Sequence, residues 1–259
     1  MRKLIRAANH HRYWNRQVRF QKYLLQVPSF DRWLYVKLHA LRVMGGEELG
    51  FLSSHVKPGM TVIDIGANIG LYSLILADLV GSAGRVHSYE PSPGLFAAAL
   101  KNSQTNGRDG VLRIENIALG SRAGEATLYE AGFNSGDNRM VTSRSHKVGF
   151  PVRILPLDEV LPGVRVDWIK MDTQGWEAEV LRGMRETLRR NPDVRVYFEY
   201  WPAGLRHAGE KASAPLETLE GYGMSIFRPE VDSALSREEL RRLEDGKGYT
   251  NLVAYRGGS

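Results

Sequence analysis

The chain contains no cysteine, no apolar run of membrane-spanning length, and only one acid in its first 46 residues. Without cysteine it can build no disulfide, no thiolate zinc site and no cysteine nucleophile. The longest apolar stretch, residues 69–80, covers about a dozen positions and includes Asp78, whereas a spanning helix needs roughly 18 or more. The opening MRKLIRAANHHRYWNRQ is basic but has no continuous apolar centre, unlike a secretory leader, so the expectation is a soluble, cytoplasmic protein. The 7 histidines show neither zinc spacing nor H-E-x-x-H, and G-x-S-x-G and the P-loop pattern are also missing. His146 is the one histidine in a predicted loop where a catalytic imidazole could sit.

Charge is unevenly spread along the 259 residues. Residues 1–46 carry ten Lys or Arg against Asp31 alone, a net +9, while the rest of the chain is net −3. Such a stretch can meet nucleic acid, anionic lipid or a phosphorylated substrate. It can equally be the solvated face of a helix docked on the domain, and the interleaved Tyr13, Trp14, Phe20, Tyr23, Phe30, Trp33 and Tyr35 fit either stacking or packing. We therefore divide the chain into a basic, helical extension (1–46), serving as a lid, substrate contact or homodimer contact, and a main domain (47–259).

Lys57-Pro58-Gly59 is a turn signal, and after it strand-like and helix-like patterns alternate. Strands are predicted over 61–65, 85–89, 111–116, 166–171 and 194–199, with helices over 69–80, 92–106 and 176–190 between them. Short strands over 125–129 and 152–156 flank a polar loop, and the tail adds helices near 215–222 and 236–244 and strands near 224–227 and 251–255. Repeated βα units imply an α/β fold: a mostly parallel twisted sheet with helices on both faces. In such sheets ligands sit beyond the carboxyl ends of the strands.

VIDIGANIG, residues 62–70, is a strand running into D-x-G-x-N-x-G and a helix. Gly66 permits a tight turn, and Gly70 permits close approach to a ligand or to the strand. Glu90 closes the next strand, in HSYEPSP, where a carboxylate can accept both ribose hydroxyls of a nucleoside. A dinucleotide's pyrophosphate asks for glycine where this chain has Asn68. A phosphate-free nucleoside such as S-adenosylmethionine does not, and its amino-acid end can rest on the backbone near Gly66 and Asp64.

Taken in order, DIGANIG, YEPSP, NIALGS, LDEV and VDWIKMDTQGWEAEVLRGM resemble the FkbM-type methyltransferases across roughly residues 47–256. The resemblance implies a class I, Rossmann-like methyltransferase fold and O-methylation of sugars or secondary metabolites. Carried over by motif, Asp64, Gly66, Ala67, Asn68 and Gly70 would line the cofactor's amino-acid end. Glu90 would hold the ribose with Pro91 and Ser92 nearby, Asn116 and Ala118 would face the adenine, and Glu47 would be an upstream contact. The family usually has Glu-Gly where this chain has Gln174-Gly175, which leaves the role of position 174 open between substrate contact and something else.

Methyl transfer is an in-line displacement, so alignment matters most, and an alcohol gains from a base that takes its proton. Asp172 closes IKMD, Glu199 closes VYFE, and Lys170 points the same way as Asp172 along its strand. Helix capping by Asp172 and a structural pairing of Glu199 are the alternatives. Two carboxylates could also hold a divalent cation, but more oxygen ligands would be needed than can be assigned, so a divalent metal is possible but not favoured. In the loop FNSGDNRM, Asp137 and Arg139 are candidate substrate contacts, and Trp201 after Glu199 could stack on a sugar ring. The acceptor is expected to be a small molecule or glycan. The alternatives are a nucleic-acid methyltransferase using the basic segment, or a non-catalytic nucleoside-binding or membrane-surface protein of the same fold.

Overall fold

In the computed structural model the described residues are 16–41, 46–131, 134–140, 146–231 and 233–257. The main sheet has seven strands: β3 (Thr61–Ile65), β4 (Arg85–Tyr89), β5 (Leu112–Glu115), β9 (Trp168–Met171), β10 (Arg195–Tyr200), β11 (Ser225–Phe227) and β12 (Thr250–Tyr255). Their spatial order is β11-β12-β10-β9-β3-β4-β5. All neighbours from β10 to β5 are parallel, and β12 runs antiparallel to β10 and β11. The chain builds outward from β3 to β5, then crosses back to lay β9 on the other side of β3. That reversal opens a crevice at the carboxyl ends of β3 and β9, where ligands bind in such sheets.

Alternation along the strands sorts side chains to two cores. Ile63, Ile65, Met171, Val196 and Phe198 face the helices Glu177–Arg182, Arg185–Arg190 and Ala214–Gly221, whereas Val62, Trp168, Tyr197 and Val253 face the helix Leu71–Val80 and the N-terminal segment. Asp64, Lys170 and Glu199 continue this second face toward the carboxyl edge. The helix Gly46–His55 lies over it, with Phe51 packed on Tyr197 and Trp168 at centroid distances of 5.7 and 6.1 Å. The predicted helix over 176–190 is two helices broken at Gly183, where a Cβ would stand 1.9 Å from the Gly120 carbonyl oxygen.

A second, three-stranded sheet of β6 (Ala118–Leu119), β7 (Gly124–Ala131) and β8 (His146–Leu155) has the order β6-β8-β7. Its two long strands exceed the short ones predicted, because β7 and β8 pair antiparallel from Gly124↔Ile154 to Ala131↔His146. His146 therefore opens a strand, not a loop, and its side chain lies outside the described residues, as do Phe133 and residues 1–15.

The extension differs most from expectation. Its described part opens with an antiparallel hairpin, β1 (Arg16–Phe20) and β2 (Tyr23–Val27), turned at Gln21 with φ 50°. Only after it come the helix Arg32–Val36 and a π-helical turn, Lys37–Leu41. Val18, Phe20, Tyr23, Leu25 and Val27 belong to the same core as Val62 and Leu74, so the hairpin is not a separate layer. Two asparagines stitch it down. Asn102 bonds the Gln26 N–H and carbonyl at 2.6 and 3.2 Å, and Asn106 bonds those of Leu24 at 3.0 and 3.0 Å. One turn of the helix Pro93–Thr105 spans nearly the same length as two residues of a strand, so two amides four residues apart satisfy the edge of β2 as a partner strand would.

Candidate active site

β3 ends in the glycine turn. Gly66 has φ 82°, its N–H and that of Ala67 both donate to the Tyr89 carbonyl at 3.0 and 3.1 Å, and a Cβ there would stand 1.9 Å from the Asp172 carbonyl oxygen. No other residue fits between the ends of β3 and β9. Asn68 adopts φ 53°, which turns its backbone N–H toward Glu90.

Glu90 is 5% exposed and accepts from the N–H groups of Asn68 (Oε2, 2.7 Å) and Ser92 (Oε1, 2.9 Å). Burial pushes its carboxyl up to about 7, against those two donors. Each oxygen has one backbone donor and keeps acceptor capacity toward the slot that Glu90 lines. Tyr89, Pro91, Ile117, Ala118, Leu128 and Trp176 give the slot apolar walls, with Gly66 and Asn68 at one end and Ser135, Asn138, Asp172, Thr173 and Gln174 as further polar lining. A flat base and a ribose fit this donor set: apolar faces for the ring and one carboxylate for two hydroxyls. Sequence reasoning missed Ile117, Leu128 and Trp176. Trp176, whose indole N–H donates to the Leu119 carbonyl at 3.2 Å, sits inside a motif block that could have flagged it.

Five expected cofactor contacts are placed elsewhere. Asp64 is fully buried beneath the turn, accepts from the Ser73 hydroxyl at 2.6 Å and faces the Lys170 ammonium at 3.6 Å, and it lines neither cavity. Its strand position points it at the helix Leu71–Val80, not at the crevice. Ser92 is buried as the N-cap of the helix Pro93–Thr105 and holds Glu90 through its backbone. Asn116 is exposed and clips the Glu90 and Pro91 carbonyls at 2.8 and 2.9 Å. Gly70 makes room for Ala99 of the neighbouring helix, which a Cβ would meet at 3.1 Å. Glu47 is exposed, and it is Glu48 that turns inward to accept from the Tyr72 hydroxyl at 2.6 Å.

Beside the slot lies a larger cavity of about 410 Å³, lined by Ala67 and Tyr72 and floored by Lys170, Asp172, Gln174 and Glu199. Asp172 follows β9 and Glu199 lies on the adjacent β10. One side-chain nitrogen joins them: Gln174 Nε2 donates to Asp172 Oδ1 at 2.8 Å and to Glu199 Oε2 at 2.7 Å, from a backbone at φ 55°. The departure at position 174 thus supplies an amide that spends its donors on two acids. Burial, then the charge of Asp172 and of Glu177, pushes the Glu199 carboxyl up to about 8. Lys170 is 3% exposed. Burial alone would lower its pKa, but the carboxylates of Asp64, Glu48, Asp172 and Glu199 outweigh burial and hold it above the usual lysine value. Its ammonium lies 4.6 Å from the Tyr72 ring centroid.

The loop 134–140 forms part of both walls. Ser135 lines slot and cavity, donates its N–H at 3.0 Å and its hydroxyl to Asp31 Oδ2, and accepts from Asn68 Nδ2 at 2.9 Å. Asp31, fully buried, also caps the helix Arg32–Val36 through the Leu34 N–H. Arg139 and Trp201 come together at the cavity, with the guanidinium 4.3 Å from the ring centroid. Asp137 lies in the turn Ser135–Asp137, and its side chain is outside the described residues. Among the described residues, no three His, Asp or Glu are grouped to hold a metal ion, and no helix is long and apolar enough to cross a membrane.

The reversed parallel sheet, the glycine turn after β3 and the acid after β4 define a class I S-adenosylmethionine-dependent methyltransferase. A crystal structure described as a "putative rRNA-methylase" from Clostridium thermocellum shares the fold, with a TM-score of 0.51 at 12% identity over 83% of this chain and 96% of that one. The chain belongs to the FkbM methyltransferase family: the family model "Methyltransferase FkbM domain" matches residues 64–215, more than half of its length. "Methyltransferase sdnD" of Sordaria araneosa is 27% identical over 209 residues, 67% of this chain and 76% of the relative. "31-O-demethyl-FK506 methyltransferase FkbM" of Streptomyces tacrolimicus is 36% identical over 69 residues, 27% of this chain and 25% of the relative. The chain spans about a third or less of the length of most curated relatives it matches.

Proposed function

We propose that this methyltransferase acts on oxygen, methylating a hydroxyl of a sugar or a related secondary metabolite. The reading rests on the acid pair bridged by Gln174 at the floor of the cavity that adjoins the cofactor slot. An alcohol must release its proton as its oxygen forms the new bond, and a carboxylate tuned near neutrality is suited to take it. The matched Streptomyces relative, named for a 31-O-demethyl substrate, supports oxygen as the acceptor atom.

When bound, S-adenosylmethionine supplies a methyl group activated by a sulfonium, with a thioether as leaving group. Glu90 holds the ribose hydroxyls, Gly66, Ala67 and Asn68 hold the amino-acid end, and Ala118 and Pro91 border the base. Glu199 takes the acceptor's proton, Asp172 lies beside it on the shared Gln174 amide, and Lys170 orients the acceptor oxygen. Arg139 and Trp201 flank the acceptor ring, and we place the reaction in the cytoplasm, where the cofactor is made.

Incubation with methyl-labelled cofactor and a panel of sugars, glycosides and phenols tests this. Label should appear as an alkali-stable ether, and Asp172→Asn should lower its yield while thioether binding persists. Label on nitrogen or in an alkali-labile ester would overturn the reading.

A further inference from the structure

The mouth of the larger cavity carries more than alcohol methylation requires. Trp33 and Tyr249 are 42% and 73% exposed there, beside Trp201. Two cations lie on two of these rings: Lys37 Nζ is 5.7 Å from the Trp33 centroid, and the Arg139 guanidinium is 4.3 Å from that of Trp201. We propose that the acceptor is a ring-bearing polyol with an anionic substituent, a phosphate or a carboxylate, read at the rim by Lys37 and Arg139 while the aromatic faces hold the ring. The proposal deepens the O-methylation reading and rests on it.

Three observations converge. The first is the source of the rim: Trp33 and Lys37 come from the +9 segment. Among its other described cations, Lys22 is paired with Asp78 at 2.6 Å and Arg16 lies 4.9 Å from the Tyr35 ring centroid, whereas Lys37 lines the cavity. The second is the sign of that field. S-adenosylmethionine, with a sulfonium, an ammonium and one carboxylate, is itself a net cation. A positive mouth repels it and attracts only a partner of opposite charge.

The third is the layout of charge with depth. The floor sets the carboxyls of Asp172 and Glu199 beside the Lys170 ammonium, so its charges offset and its polar groups suit a hydroxyl. Asp31, the remaining acid on the wall, is fully buried and already accepts from Ser135 and Leu34. A ligand with its anion outward and its hydroxyl inward matches both ends. Aromatic faces at the rim suit the apolar face of a pyranose, with a stacked cation reaching past the ring.

The test uses the full chain saturated with S-adenosylhomocysteine, whose own binding is measured first. Methyl glucoside, glucose 1-phosphate, methyl glucuronide, inorganic phosphate and a short RNA are then titrated by ligand-observed NMR at low and at physiological salt. At least one charged sugar should bind about tenfold more tightly than the neutral one at low salt, and the advantage should shrink as salt rises. It should disappear in Lys37→Ala, with Arg139→Gln as a second variant and thioether affinity as the check that each is folded. The phosphate and carboxylate arms identify which anion is read. Equal binding of charged and neutral sugars, no binding of either, or an advantage that survives both variants overturns the proposal. So does inorganic phosphate matching the sugar phosphate, or RNA far exceeding it, the latter in favour of a polyanion. Failure of the thioether to bind would instead overturn the cofactor assignment beneath it.

Discussion

The two chambers that meet at Asp172 are built in different ways. The cofactor slot is built chiefly on early strand ends, Gly66 after β3, Glu90 after β4 and Ala118 in β6, and is closed by Leu128, Ser135 and Trp176. The acceptor cavity gathers Lys37 from the extension, Arg139 from a loop, Glu199 from β10 and Tyr249 from near the C-terminus. A slot made of short-range parts can be preserved as a motif, whereas a cavity made of remote parts can change its substrate one element at a time. The difference predicts that substitutions in one chamber leave the other's work nearly intact.

The largest effect should come from Glu199→Gln, which removes the proton acceptor but keeps the shape. Turnover should fall by about 10²–10⁴-fold with thioether affinity unchanged, as read by single-turnover transfer and calorimetry. Parallel losses would erase the distinction between the chambers. Glu90→Gln should do the reverse, weakening cofactor binding by about 1–3 kcal/mol while turnover at saturating cofactor stays near that of the parent. Asn102→Ala probes the scaffold under the acceptor side. It strips the Gln26 N–H and the Ile69 carbonyl of side-chain partners and should cost about 1–2 kcal/mol in denaturant unfolding, with cofactor affinity kept once folded.

The smallest effects are with pH, and they too should separate by chamber. As the proposed base, Glu199, raised to about 8, acts only when ionised, so turnover should climb as pH passes through 8. As the proposed ribose partner, Glu90, raised to about 7, accepts best as a carboxylate, so cofactor affinity should hold above pH 7 and fall below it. Each change stays under about tenfold per pH unit. Glu90→Gln should flatten the second profile and leave the first.

The same division governs what the sequence reveals. The glycine turn, Glu90 and the carboxylate pair are readable because strand-to-helix patterning places their residues at known sheet edges. Spacing alone does not show that Asp64 turns toward Ser73, because which way a strand-end acid faces depends on that partner nine residues on. Nor does spacing show the clip made by Asn116, because an amide offers the same donors to a purine edge as to the carbonyls of Glu90 and Pro91. The hairpin was visible in principle: Val18 and Phe20, then Tyr23, Leu25 and Val27 alternate with period two about Gln21-Lys22. Its interleaved aromatics suggested a helix, and only the receiving asparagines make the strand reading stable. Gln174 as a bridge between acids needs the neighbouring strand β10, which lies 25 residues away in sequence.

Ser135 stands between the two chambers as a party wall, hung from Asp31 on one side and leaning on Asn68 on the other. A partition shared in this way is a place where the separation of the chambers fails: a change at Ser135 alters the walls of both rooms at once.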